Sequence, residues 1–140
     1  MENAFSEDVL VEKLKELRLE NEGLYVYGQQ QPSGLTAALL GPFAFIFSPI
    51  KPYILNFSKA GFAMLEIRGN KFTGMHSYTA VEKIVDISFK KGILDSTLLI
   101  KKEGDKKPAK IKIMHILPAA SWQKPNIEKL EEFLKTFGKE

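Results

Sequence analysis

Two periods of hydrophobicity divide this chain. From residue 53 onward apolar and polar positions alternate in short runs, which predicts strands over 53–57, 62–67, 72–78, 82–90, 97–102 and 109–116. Turn-forming residues separate them at Lys59-Ala60-Gly61, Gly69-Asn70, Lys91-Gly92 and Gly104-Asp105-Lys106-Lys107-Pro108. An aromatic and β-branched run at 24–27 supplies an earlier, seventh strand. Alternation also assigns faces: Val85, Ile87 and Phe89 to the core with Asp86, Ser88 and Lys90 in water, and Ile111 and Ile113 inward with Lys110 and Lys112 outward.

The other period is helical. Near the C-terminus Ile127, Leu130, Leu134 and Phe137 recur at i, i+3, i+7 and i+10, Pro125 falls in the first turn where its missing N–H costs nothing, and Gly138 offers a stop. At the other end Ser6 stands at an N-cap position, Glu7 and Asp8 suit the positive end of a helix, and Leu10, Leu14 and Leu17 form a stripe expected to end near Gly23. Seven strands followed by a closing helix predict a mainly β (α+β) fold: a small closed barrel stoppered by the C-terminal helix, with Trp122 as an apolar plug at its mouth.

The stretch from Gly23 to Ile50 breaks both patterns. Its 28 residues carry no charge, and from Leu35 to Ile50 they are strongly apolar. Sixteen residues interrupted by Pro42 and Pro49 fall short of the roughly 20 needed to cross a bilayer. Residues 29–34 read as a loop, 35–41 as a short helix and 43–47 as an extended segment or its continuation. Leu39, Leu40, Phe43, Phe45 and Phe47 offer more apolar surface than a small barrel accommodates. They are the candidate interface, either between subunits or on a membrane surface; simple coverage of the barrel is the plain alternative.

Charge changes the picture locally rather than globally. The net charge is only +3, but residues 1–22 hold seven acids against three bases, while residues 90–112 hold eight lysines against three acids. Lys101, Lys102, Lys106, Lys107, Lys110 and Lys112 form a candidate basic stripe, to be weighed against an ordinary solvated strand surface. The stripe lacks arginine and an evident aromatic platform, so nucleic-acid readout is not expected.

There is no cysteine, which removes disulfides, thiolate metal sites and cysteine nucleophiles. The two histidines, His76 and His115, belong to no metal-binding or nucleophile spacing, and no paired carboxylates suggest acid–base chemistry. The expectation is a non-catalytic protein with no cofactor and no metal. The N-terminal residues lack the basic start and apolar run of a secretory signal, so the expected location is cytoplasmic, with peripheral membrane contact as the variant.

Three segments carry a resemblance to a known family: 53–65 (YILNFSKAGFAML), 81–89 (VEKIVDISF) and the helix entry Trp122-Gln123-Lys124-Pro125-Asn126-Ile127. In their order they resemble the bacterial pleckstrin-homology-like domains over about residues 24–138. The resemblance implies a seven-strand bent barrel capped by the C-terminal helix over 23–140. Residues 1–22 then form a helical extension, and 29–52 an apolar insert between the first two strands. That superfold serves lipid, peptide and protein binding. A phosphoinositide site in it would want several cations on the loop after the first strand; that loop has none before Lys51, so specific phosphoinositide binding is not expected. A peptide added beside strand 82–90 is a further possibility, against which Asp86 and Lys90 read as guards of an exposed edge. The expected function is protein–protein contact, chiefly self-association, with peripheral membrane insertion of 35–50 as the alternative.

Overall fold

A computed structural model describes residues 3–31 and 51–137. Helix α1 (Glu7–Glu16) precedes strands β1 (Leu24–Gln30), β2 (Lys51–Ser58), β3 (Gly61–Arg68) and β4 (Lys71–Ala80). A 3-10 turn at Val81–Lys83 leads to β5 (Ile84–Lys91), β6 (Asp95–Lys102), β7 (Ala109–Met114) and helix α2 (Gln123–Leu134). The seven antiparallel strands form one sheet in the order β4-β3-β2-β1-β7-β6-β5. The expected closure of the barrel does not occur: β4 and β5, neighbours in sequence, are the two edges of the sheet and do not pair with each other.

Each face of the sheet has its own core. Under α2 lie Val26, Leu55, Phe57, Leu98, Ile100, Ile111 and Ile113 together with Ile127, Leu130 and Phe137 of the C-terminal segment. On the opposite face α1 brings Leu10 and Leu14, both fully buried, against Tyr25, Tyr27, Ile54, Leu65 and Ile67. Consequently β1, β2 and β3 each contain five consecutive buried residues, where a one-sided strand would alternate. Burying a large aliphatic side chain stabilises a fold by about 1.5–3 kcal/mol, so the second core is a substantial share of the whole.

Trp122 belongs to that second core. It packs edge-on against Tyr25 at 5.4 Å and its indole N–H donates to the Phe5 carbonyl at 2.9 Å, so it sits on the α1 face of the sheet and does not plug a barrel mouth. Five residues later Ile127 is in the α2-side core. The chain changes faces at the seam between β1 and β7, which pair only at Gln29↔Lys112 and Gln30↔Ile111. Continued by two residues, that register would set Tyr27 opposite Met114. The Gln123 side chain occupies the place instead: its Oε1 accepts from the Tyr27 N–H (2.8 Å) and its Nε2 donates to the Tyr27 and Met114 carbonyls (2.9 Å each). Asn126 Nδ2 adds a bond to the Tyr25 carbonyl at 2.8 Å. Two amides thus satisfy strand groups that the parted ladder leaves open. Where the strands do cross closely, a Cβ on Gly28 would lie 2.6 Å from Ile111 Cγ2, which explains glycine inside β1.

Two local details differ from the alternation and capping patterns. The pairing of β5 with β6 shifts register between Ile84 and Asp86, so Ile84, Ile87 and Phe89 pack on the core while Val85 is 62% exposed. Helix α1 ends at Glu16, well before Gly23. Arg18 takes the left-handed conformation (φ 59°), its N–H bonds the Lys15 carbonyl, and the Leu19 N–H bonds that of Leu14. This six-residue Schellman closure turns Leu19 back toward the second core. The short helix and extended segment expected within 35–47, and the stop at Gly138, lie outside the described residues.

Candidate functional site

Covering by α1 stops at one half of its sheet face. Strand alternation sends Ile111 and Ile113 under α2 and therefore turns Lys110 and Lys112 to the α1 face, where Lys112 is opposite Thr97 and Gln29, and Lys110 opposite Leu99. Lys101, opposite Asp86, and Lys90, opposite Thr97, face the same way. No described helix lies over this part of the sheet. It is a shallow, half-exposed surface of four lysines with Leu99 among them and two carboxylates, Asp86 and Asp95, the latter 3.9 Å from Lys112.

The candidate stripe is therefore divided. Lys101, Lys110 and Lys112 share this face. Lys102 has the opposite parity and lines an open hollow of about 410 Å³ with Tyr78, Thr79, Ala80, Lys83, Glu103 and Asp105. There Lys83 lies 3.7 Å from Glu103 and the Lys102 backbone N–H donates to Asp105, so the hollow's charges largely offset one another. Lys106 and Lys107 stand exposed on the β6–β7 turn.

Beside the lysine half, α1 presents the opposite sign. Asp8, Glu12 and Glu16 are exposed, as is Glu20 beyond the helix; Lys15 is exposed among them, and Lys13, turned partly inward over the Phe72 ring, lies 3.5 Å from Glu16, so the acidic excess is modest. The N-terminal segment is tied down at several points: the Tyr25 hydroxyl donates to Glu7, Asn56 Nδ2 to the Glu20 carbonyl at 2.8 Å, and the Lys59 N–H to Glu22 at 2.7 Å. Burial first, then the hydrogen bond and negative charge of Glu7, push the Tyr25 phenol above its ordinary pKa.

The candidate interface residues Leu39, Leu40, Phe43, Phe45 and Phe47 lie outside the described residues. The chain leaves the described fold at Gln31, whose N–H donates to the Lys110 carbonyl at 2.9 Å, and returns at Lys51, opposite Gln30. Both points border the lysine half.

His76 is exposed on edge strand β4, beside an open hollow of about 180 Å³ lined by Tyr53, Met64, Glu66, Met75 and Ser77. His115 has a definite structural task. Its Nδ1 donates to the Ile93 carbonyl (3.1 Å), which fixes Nε2 as the acceptor for Ser96 Oγ at 2.7 Å in the neutral ring, and its backbone N–H bonds the Leu94 carbonyl at 3.1 Å. Ser96 is fully buried, so this serine–histidine pair braces the β5–β6 turn instead of presenting a hydroxyl to a substrate. Among the described residues no cluster of three metal-ligating side chains occurs, and no helix is long and apolar enough to cross a membrane. Gln123 and Asn126, which hold the seam, were not singled out by hydrophobic periodicity; their position on the stripe of Ile127 and Leu130, at i, i+3, i+4 and i+7, was the available signal. Compared with protein-family models and with curated proteins, the chain matches none.

Proposed function

We propose that this chain is a non-catalytic assembly module of pleckstrin-homology-like architecture that associates with copies of itself. The observation that supports this reading is the division of one sheet face into two adjoining halves of opposite sign: α1 with Asp8, Glu12 and Glu16 outward, and the bare half bearing Lys90, Lys101, Lys110 and Lys112. A two-fold axis between the halves lays α1 of each copy on the lysines of the other, so one contact made twice closes the pair. The uncharged segment with Leu39, Leu40, Phe43, Phe45 and Phe47 leaves and re-enters at the margin of that face and adds the apolar surface that a charged contact lacks.

Light scattering at micromolar concentration tests this. The unaltered chain is expected to exceed the 15.8 kDa of one copy. Lys101→Glu with Lys110→Glu should lower the mass, and adding Glu12→Lys and Glu16→Lys should restore it. Phe43→Glu or Phe45→Glu should lower it even in 1 M salt, where the Debye length is about 3 Å and charge attraction has faded. A monomeric unaltered chain contradicts the proposal. A second reading, insertion of 35–50 into a membrane surface, draws support from the nearness of Lys51 and Lys110 to the roots of that segment.

A further inference from the structure

The most exposed aliphatic side chains of the described fold lie elsewhere. Ile93 is 94% and Leu94 78% exposed, and Ile116, just past the brace residue His115, is 73% exposed. Ile93 and Leu94 form the tip of the β5–β6 hairpin, closed by the Gly92 N–H on the Asp95 carbonyl at 2.8 Å. Local rules argue against both residues there. Tight hairpins favour Asn and Gly, because the turns that match strand twist need positive φ. Neither Ile93 nor Leu94 has a positive φ, and neither buries its side chain in return. A break with turn chemistry and with burial at the same two positions, without a compensating contact, marks a place that answers to something outside the fold.

The tip is also held rigid. His115 bonds the carbonyls of both Ile93 and Leu94 and is itself fixed by buried Ser96. The aliphatic pair is thereby presented outward as a projection, and a projection of this kind asks for a partner that deforms around it. Lysines stand at its base: Lys90, Lys91 and Lys112. Asp95 lies 3.9 Å from Lys112 and Glu131 3.9 Å from Lys91, and among the described residues Lys90 has no carboxylate at such a distance, which leaves a modest positive excess.

We propose that the β5–β6 turn is a membrane-contacting tip: Ile93 and Leu94, with Ile116 beside them, enter the interfacial layer of an anionic phospholipid surface while the lysines at the base meet its headgroups. This tip is separate from the points where the chain leaves and re-enters the described fold. Gln31 bonds Lys110 at the start of β7, whereas the tip is braced from His115 past its end, roughly 16 Å along the strand. The inference does not depend on self-association.

The experiment is co-sedimentation of the full chain with vesicles of phosphatidylcholine alone and of phosphatidylcholine with phosphatidylglycerol. The unaltered chain should pellet with the anionic vesicles and much less with the neutral ones. Ile93→Asn with Leu94→Gly supplies a favoured turn sequence, should keep the circular-dichroism spectrum, and should weaken binding about tenfold or more, since two aliphatic side chains no longer enter the apolar layer. Ile93→Trp keeps the tip apolar and should shift its emission to the blue on adding anionic vesicles. The proposal is overturned if the unaltered chain pellets with neither vesicle, if the Asn-Gly variant binds as well as the unaltered chain, or if the added tryptophan's emission does not move. Binding that survives the tip variant and is lost in Phe43→Glu belongs to the segment 35–50 and equally overturns it. So does a tip variant whose only effect is a lower solution mass, which makes the tip a contact between copies.

Discussion

Strands β1 to β3 and strands β5 to β7 belong to one sheet and live in different environments. The first group is covered on both faces, by α1 and by α2; the second, among the described residues, has a helix on the α2 face alone. Composition follows cover. Leu24-Tyr25-Val26-Tyr27 and Ile54-Leu55 run without a charge and are buried at every position, whereas Lys110-Ile111-Lys112-Ile113 alternates between buried isoleucine and outward lysine. A continuous apolar run thus reports a second layer, and strict alternation reports its absence. The layer over β1 to β3 is the N-terminal helix, which is why Leu10 and Leu14 are as buried as Ile111 and Ile113.

The largest expected effect lies at the seam joining the two groups. Gln123→Leu keeps roughly the side chain's size and strips the Tyr27 N–H and the Tyr27 and Met114 carbonyls of their partners. Leaving such buried groups unpaired should cost about 4 kcal/mol, measured by urea denaturation. Next in size is one substitution made in each half. Leu14→Ala, under the covered half, should cost about 3 kcal/mol, and Leu99→Ala, on the bare half, under about 1 kcal/mol. Equal losses would mean that the lysine half is covered as well.

Much of this was legible in the sequence, for physical reasons that also explain the misses. Period-two alternation places the strands from 53 onward and the inward faces of Ile111 and Ile113, because neighbours on a strand must point to opposite faces. It misplaces Val85, since one irregular residue between Ile84 and Asp86 reverses the parity behind it and nothing in the composition announces that shift. Trp122 is correctly apolar and buried but on the other face, because the crossing at the seam depends on a ladder that parts, a property of two distant strands. Openness of the sheet is likewise a matter of whether β4 and β5 meet, which strand order along the chain does not decide. Of the candidate stripe, alternation separates Lys101 from Lys102, and only pairing of β5, β6 and β7 collects Lys90, Lys101, Lys110 and Lys112 on one face.

Smaller effects probe how α1 is held on its half. The Tyr25 phenol keeps its proton in the folded chain above its ordinary pKa of 10, while the unfolded chain loses it there. Alkaline pH therefore favours unfolding from about pH 10 upward, and Tyr25→Phe should flatten that part of a thermal-stability profile against pH. Smallest is Arg18→Gly. A glycine accepts the left-handed turn without the Cβ penalty, so the change should raise stability by about 0.5–1 kcal/mol in thermal melts.

Native-state hydrogen exchange tests the contrast between the halves most directly, since it reads each strand in the unaltered chain. Amides of Val26, Leu55 and Leu65, enclosed between two layers, should exchange only through global unfolding, and their rates should follow the stability measured by urea. Amides along edge strand β5, at Ile87 and Phe89, should exchange orders of magnitude faster through local opening. Equal protection in the two groups would contradict the account, because it would mean that the covering by α1 adds nothing to the strands beneath it.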